Sequence, residues 1–147
     1  MKLWQGAIVA TVLIAVAIAR SLPNSRNTDL VWKPYTHKYL TEARESGHIV
    51  LVSFTADWCL TCKTAETLFL HTDEINHAIK TYGVIALKAD WTHGNPEVTR
   101  MLEQLGSKQI PTIAVFPPRQ SIENPIVIRG GYTKHTILDA IRQASGN

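Results

Sequence analysis

The chain of 147 residues is long enough for one globular domain with a short appendage, and its 45% hydrophobic content suffices for a sizeable core. Its formal charge is only +3, carried by Lys and Arg residues that are scattered along the chain. That distribution excludes the basic patch a nucleic-acid binder needs, and two cysteines are too few for a structural disulfide framework.

Ala7 to Ala19 form an uninterrupted apolar run between Lys2 and Arg20, extended weakly by Leu3 and Trp4. A spanning helix wants about 20 apolar residues, the core of a signal peptide about 7–15. The run falls between the two, and Ala17-Ile18-Ala19 has the small-x-small pattern that precedes a cleavage site. Residues 1–20 are therefore expected to be a cleaved signal peptide or an N-terminal membrane anchor, and either one exports the rest. A helix of the folded domain fits less well, because the run has no polar face. Residues 21–33, polar and interrupted by Pro23, read as a linker, and residues 34–147 as the folded domain.

Within the domain, Tyr35 to Ser46 has helical spacing at Tyr39, Leu40 and Ala43 and is stopped by Gly47. Ile49 to Thr55 is short, apolar and β-branched, as a buried strand is. A helix is expected from the cysteines through Leu70. A second starts at Thr72-Asp73-Glu74, with Ile75, Ala78, Ile79 and Tyr82 as its stripe, and ends at Gly83. Val84 to Ala89 is the next strand. Asn95-Pro96-Glu97 opens a helix with a cap residue and a first-turn proline; Val98, Met101, Leu102 and Leu105 line its buried face, and Gly106 closes it. Thr112 to Phe116 and Ile126 to Ile128 are strands separated by the Pro117-Pro118 turn region, and a last helix runs from Thr133 to about Gln143. The strand–helix–strand portions favour parallel pairing, and the short connection between the last two strands favours an antiparallel pair. A mixed sheet with helices on both faces follows.

Cys59-Leu60-Thr61-Cys62 is the motif with the most chemistry in it. Such spacing also serves zinc. Here it follows a buried strand and opens a helix, the setting of a redox pair. Free N–H groups and the positive end of the helix dipole favour a thiolate at the first turn, lowering the pKa of Cys59. Cys62, one turn later, lies within reach of a disulfide. Cys59 is thus the expected exposed nucleophile and Cys62 the more buried resolving thiol. The dispersed histidines His37, His48, His71, His77, His93 and His135 supply no H-x3–5-H pair for a zinc site. Trp32 and Trp91 read as packing residues.

Ser53 to Lys63 (SFTADWCLTCK), with Ile110-Pro111-Thr112 later, resembles the thioredoxin superfamily. Ala56-Asp57-Trp58-Cys59, Cys62-Lys63 and Ala89-Asp90-Trp91-Thr92 are similar to one branch, the C-terminal periplasmic domain of DsbD-type thiol:disulfide interchange proteins. The resemblance covers roughly Lys33 to Ser145. It implies a thioredoxin fold, a central mixed β-sheet flanked by helices on both faces. It implies a protein-disulfide reductase with no cofactor beyond the redox-active Cys59–Cys62 disulfide and no metal. It assigns Pro111, preceded by Ile110, to a cis-proline loop that holds the partner chain, Trp58 to the aromatic beside the nucleophile, and Glu66 to an acid near the thiols. A carboxylate there raises thiol pKa values and can relay a proton; the alternative is an exposed helix glutamate. Oxidised protein thiols become the expected substrates, and a membrane electron donor of the DsbD or CcdA type the expected partner. The expected place is the periplasmic side of the bacterial inner membrane, anchored, or the soluble periplasm.

Two departures stand out. Where the superfamily often carries a buried Asp six residues before the first cysteine, this chain has Ser53, which leaves any acid–base assistance to Glu66 or water. With at most one short span, the chain is expected to need a separate electron donor. Leu60 and Thr61 place no positive charge between the cysteines, which with the resemblance favours a reductant. A thiol oxidase or isomerase of the same fold, and a non-catalytic binding module, remain the alternatives.

Overall fold

The computed structural model describes residues 30–118 and 124–146. The expected signal or anchor segment, residues 1–20, and residues 21–29 of the expected linker lie outside them. Among the described residues, five strands form one sheet in the order β1-β3-β2-β4-β5. They are β1 (Lys33–Pro34), β2 (Val50–Thr55), β3 (Ile85–Asp90), β4 (Thr112–Phe116) and β5 (Ile126–Arg129). The helices are α1 (His37–Glu45), α2 (Leu60–Ala65), α3 (Asp73–Thr81), α4 (Pro96–Gln104) and α5 (Lys134–Ala144). The expected elements are all present in the expected order; β1 is the addition.

β1 has too few residues to show a period, and it exists because β3 offers it a partner: Lys33 pairs with Leu87 and Pro34 with Lys88. Tyr35, expected to be helical, continues that pairing, its N–H donating to Lys88 O at 2.9 Å. The helix begins two residues later, where the Thr36 hydroxyl caps the Tyr39 N–H. The expected parallel pairing holds for β2 with β3, across α2 and α3. It does not extend to β4, which crosses to the other side of β2 and pairs with it antiparallel, as it does with β5. Gly83 and Gly106 end α3 and α4 at φ of +61° and +64°, a backbone that a side chain would strain.

Every residue of β2 is buried, because helices cover both faces of the sheet. Leu51, Ile113 and Val115 face one core with Leu70, Ile75, Ile79, Ile137 and Ile141. Val50, Val52, Phe54, Leu87 and Phe116 face the other with Leu40, Val98, Met101 and Leu102. β2 is the central strand of the sheet, with neighbours on both sides and a core on each face, so whatever follows it is held firmly.

Tyr35 and Tyr132 are 5% and 1% exposed, and burial first, then a nearby carboxylate, raises both phenols well above the ordinary 10.0. For Tyr132 that carboxylate is Glu66; its hydroxyl is turned toward Ser53 without reaching hydrogen-bond geometry. A raised folded-state pKa means the fold holds these protons more tightly than the unfolded chain. The associated stability is complete below pH 10 and is lost as pH rises from there toward the folded pKa values. The expected result is a stability that falls above about pH 10 with a slope of up to ~1.4 kcal/mol per pH unit for each tyrosine. Tyr132→Phe should remove its share of that slope in urea titrations at pH 9 to 11.5; an unchanged slope would contradict this origin.

Candidate active site

β2 ends at Thr55 on the carboxyl side of the parallel β2–β3 pair, where open sheets place their sites. The chain then turns through Ala56-Asp57-Trp58, closed by the Cys59 N–H donating to Ala56 O at 3.1 Å. Cys59 is the N-cap of α2, and its Sγ accepts the Cys62 N–H at 3.2 Å. The two sulfurs are bonded at 2.11 Å with Cα atoms 5.3 Å apart. Cys59 is 6% exposed and Cys62 0%, so the expected exposed nucleophile is itself mostly covered and is open only relative to its partner. An N–H aimed at Cys59 Sγ is the direct form of the helix-start effect expected from the sequence, since it stabilises negative charge on that sulfur.

A second loop clamps this turn. Trp91 N–H donates to Thr55 O at 2.8 Å, and the Thr92 hydroxyl accepts the Asp57 N–H at 2.9 Å. The Trp58 indole N–H donates to Thr92 O at 3.2 Å while its ring stays 62% exposed. Asp90 in turn accepts from the Thr92 N–H at 2.9 Å and its hydroxyl at 2.5 Å, and these bonds hold the Asp90 carboxyl below its ordinary pKa. Lys63 pairs with Asp57 at 3.3 Å. Trp91 packs on the second core and donates to the Thr99 hydroxyl at 2.8 Å, a packing role as expected.

Opposite the disulfide, the Ile110–Pro111 bond is cis, and Ile110 packs against Ala56, Cys59 and Cys62. Two hydroxyls pin this loop from beneath. Thr112 Oγ1 donates to Gln109 O at 2.8 Å and lies 3.2 Å from Ser107 Oγ, both residues being buried. The Gly130 N–H donates to Pro111 O at 3.0 Å. Sequence reasoning did not single out Ser107, Thr112, Asp90 or Thr92 as supports of the site. The signal was hydroxyl residues flanking Ile110-Pro111 and an Asp-x-Thr after β3.

The helix that carries the cysteines continues through Leu70 as expected, but it is not α-helical throughout. After Ala65 it widens to a π-helical turn over Glu66–Leu70, closed by the His71 N–H on Glu66 O at 2.8 Å. Glu66 is 8% exposed. It lines a cavity of about 150 Å³ with Trp32, Ser53, Leu70, His71 and Lys88. The indole N–H of Trp32 and the hydroxyl of Thr55 are buried without a hydrogen-bond partner among the described residues. Ser53 faces Lys88 across the β2–β3 register. The structure thus brings Ile110 of the cis-proline loop against the cluster that holds Cys59 and Cys62, with Trp58 next to Cys59 in the chain and Glu66 one turn behind Cys62.

Among the described residues no group of three or more His, Cys, Asp and Glu could hold a metal ion, and no helix is long and apolar enough to cross a membrane. A buried disulfide with a donor on one sulfur and an apolar rim can exchange with a sulfur brought over Trp58 and Ile110.

Comparisons with known proteins agree with this geometry. The pattern of the thioredoxin-like family matches residues 31–118. The thiol:disulfide interchange protein DsbD of Vibrio cholerae serotype O1 is 30% identical over 104 residues, which is 71% of this chain and 17% of that protein. The chain therefore spans about a sixth of the length of this relative. Among solved structures, a thioredoxin from Thermus thermophilus superposes with a TM-score of 0.62 at 19% identity, covering 79% of this chain and 87% of the other. The oxidised C-terminal domain of Neisseria meningitidis DsbD gives 0.57 at 20% identity, covering 76% and 97%.

Proposed function

Because the chain belongs to the thioredoxin-like family, we propose that it is a thiol–disulfide oxidoreductase that reduces disulfides of extracytoplasmic proteins through Cys59 and Cys62. The observation that carries this reading is the Cys59–Cys62 disulfide itself, capped by the Cys62 N–H and packed against Ile110 of the cis-proline loop.

In the reducing direction the pair starts as two thiols. Cys59 loses its proton, and its thiolate attacks one sulfur of the client disulfide, forming a mixed disulfide and releasing the other client sulfur as a thiolate. Cys62, deprotonated, then attacks Cys59 Sγ. The second client thiolate leaves and the Cys59–Cys62 bond forms. Two electrons have moved from the pair to the client, and a donor dithiol returns the pair to its reduced state. Trp58 and Ile110 shape the apolar rim over which the client sulfur arrives, and Pro111 presents the loop that holds the client chain.

Glu66 is the proposed acid–base helper for Cys62, supported by its burial and by its place one turn along the same helix. A carboxylate beside a thiol raises the thiol pKa. Glu66→Gln should therefore shift the alkylation–pH profile of the reduced pair toward lower pH, as read with iodoacetamide. No shift would remove Glu66 from the mechanism.

The proposed donor is a membrane protein of the DsbD or CcdA type, and the proposed place is the outer face of a bacterial inner membrane. The apolar run Ala7–Ala19 and the likeness to interchange proteins support both. The test is the equilibrium reduction potential of the pair in the full chain, together with its insulin reductase activity. A value near −270 mV, about that of thioredoxin, supports a reductase, whereas one near −120 mV makes the chain an oxidant. Turnover no faster than background would make it a binding module.

A further inference from the structure

A pocket of about 460 Å³ is lined by Glu103, Gly106, Ser107, Lys108, Gln109 and Arg129, the residues from Gly106 to Gln109 leading directly into the cis Ile110–Pro111 bond. It is tied to the candidate site by backbone on both walls. Lys108 is two residues from Ile110, which packs against the cluster of Ala56, Cys59 and Cys62, and two residues of chain span at most about 7 Å. Arg129 pairs in register with Thr112, the residue after Pro111, and the next N–H, of Gly130, is bonded to Pro111 O.

The pocket holds two cations and one carboxylate, and neither cation is in an ion pair among the described residues. Arg129 is anchored by one Nη2–H on Leu105 O, which lays its guanidinium over the Gly106 turn and leaves its other donors for a ligand. Lys108 makes no hydrogen bond among the described residues and is exposed. Nearer the disulfide Asp57 is paired with Lys63, and the Asp90 carboxylate is held by Thr92. Lys108 and Arg129 outnumber Glu103 in the pocket, and a concave wall focuses their positive field.

Resting on the redox reading above, we infer that Lys108 and Arg129 form a subsite for an acidic side chain of the client polypeptide, within two or three residues of the cysteine under attack. A client strand lying along Ile110 carries its neighbouring side chains past this pocket. Arg129 offers a fork suited to a carboxylate and Lys108 a mobile charge. The subsite selects among clients; it takes no part in the exchange itself.

The test uses the full chain in mild detergent and disulfide-cyclised peptides with amidated C-termini. They carry Glu or Gln two residues before or two residues after one cysteine. The readout is the ratio of kcat/KM for the Glu peptide over its Gln twin. Exposed charge pairs of this kind predict a ratio of about 5 at low salt, falling toward 1 at 0.5 M salt. In Lys108→Glu the ratio should fall below 1, and in Arg129→Gln it should shrink toward 1. Because each ratio is taken within one variant, a loss of folded protein cancels. A wild-type ratio of 1 in both peptide placements, or a ratio unchanged in Lys108→Glu, overturns the subsite while the reductase reading stands. Failure to reduce any peptide overturns the redox reading and the subsite with it. A preference for glutathione disulfide, which carries free carboxylates, over the Glu peptides would overturn a polypeptide client in favour of a small thiol.

Discussion

Cys59→Ser is expected to bring insulin reduction down to the uncatalysed background, while Cys62→Ser should leave a protein that forms mixed disulfides and cannot release them. The asymmetry follows from the geometry. Cys59 is the more exposed of the two residues, at 6% against 0% for Cys62, so an incoming disulfide meets Cys59 first. It is also the sulfur that accepts the Cys62 N–H, which favours its thiolate. Without Cys59 no covalent intermediate forms, and a serine hydroxyl at neutral pH does not replace a thiolate. Without Cys62 the first exchange proceeds and the second has no attacking sulfur. Non-reducing electrophoresis after mixing with oxidised insulin separates the two outcomes. A covalent adduct in Cys59→Ser and none in Cys62→Ser would reverse the assigned order. Residual turnover in Cys59→Ser at the normal rate would end the dithiol mechanism.

Phe54→Ala is expected to lower stability by about 3–5 kcal/mol, the usual range for emptying a fully buried aromatic site. Phe54 is 0% exposed at the second-to-last position of strand β2, before the cysteine loop, and its ring meets Tyr35 at 6.2 Å between centroids. Both strands beside β2 and the helices of the second core surround it, so collapse into the vacated space would need several elements to move together. Against a typical total of about 5–15 kcal/mol, such a loss is large. The urea midpoint should fall with an unchanged m-value, and exchange activity of the folded fraction should fall as well, because Phe54 lies five residues before Cys59 on the strand that aims it. A loss under about 1 kcal/mol would mean that the second core repacks around the cavity, contrary to the close packing described.

The legible parts of this molecule are those whose cause is local. Strand β2 could be read because a run of β-branched and apolar residues has no other stable place than a sheet buried on both faces. The starts of α3 and α4 were readable because Thr72 and Asn95 carry the cap chemistry in their own side chains, and Gly83 and Gly106 the ends. The cysteine pair was readable because its spacing, the strand before it and the helix after it are all contiguous in the chain. Likewise, Ile110-Pro111 stood out through its resemblance to a known loop, and the structure packs Ile110 against the cluster of Ala56, Cys59 and Cys62.

Elsewhere the chain alone was silent, and always where the cause was distant. Strand β1 exists only because β3 supplies the hydrogen bonds that Lys33 and Pro34 complete. The antiparallel placement of β4 beside β2 depends on pairing between strands far apart in the chain, a property of no single segment. Thr92, Ser107 and Thr112 are ordinary hydroxyl residues until the fold turns them onto the loops that carry Trp58 and Ile110. Whether Glu66 lay in solvent or at the back of the site was open from spacing; the π-helical turn after Ala65 and the sheet beneath it left the residue 8% exposed.

Sequence by itself thus determined the elements other than β1 and the π-helical turn, their order and the identity of the reactive pair, because periodicity, caps and motif spacing act over a few residues. Tertiary structure decided the strand order, the depth of the two cysteines, the burial of Glu66 and the meeting of Lys108 and Arg129 in one pocket. Those depend on contacts between residues far apart in the chain, and such contacts exist only once the sheet has closed and its two cores have packed.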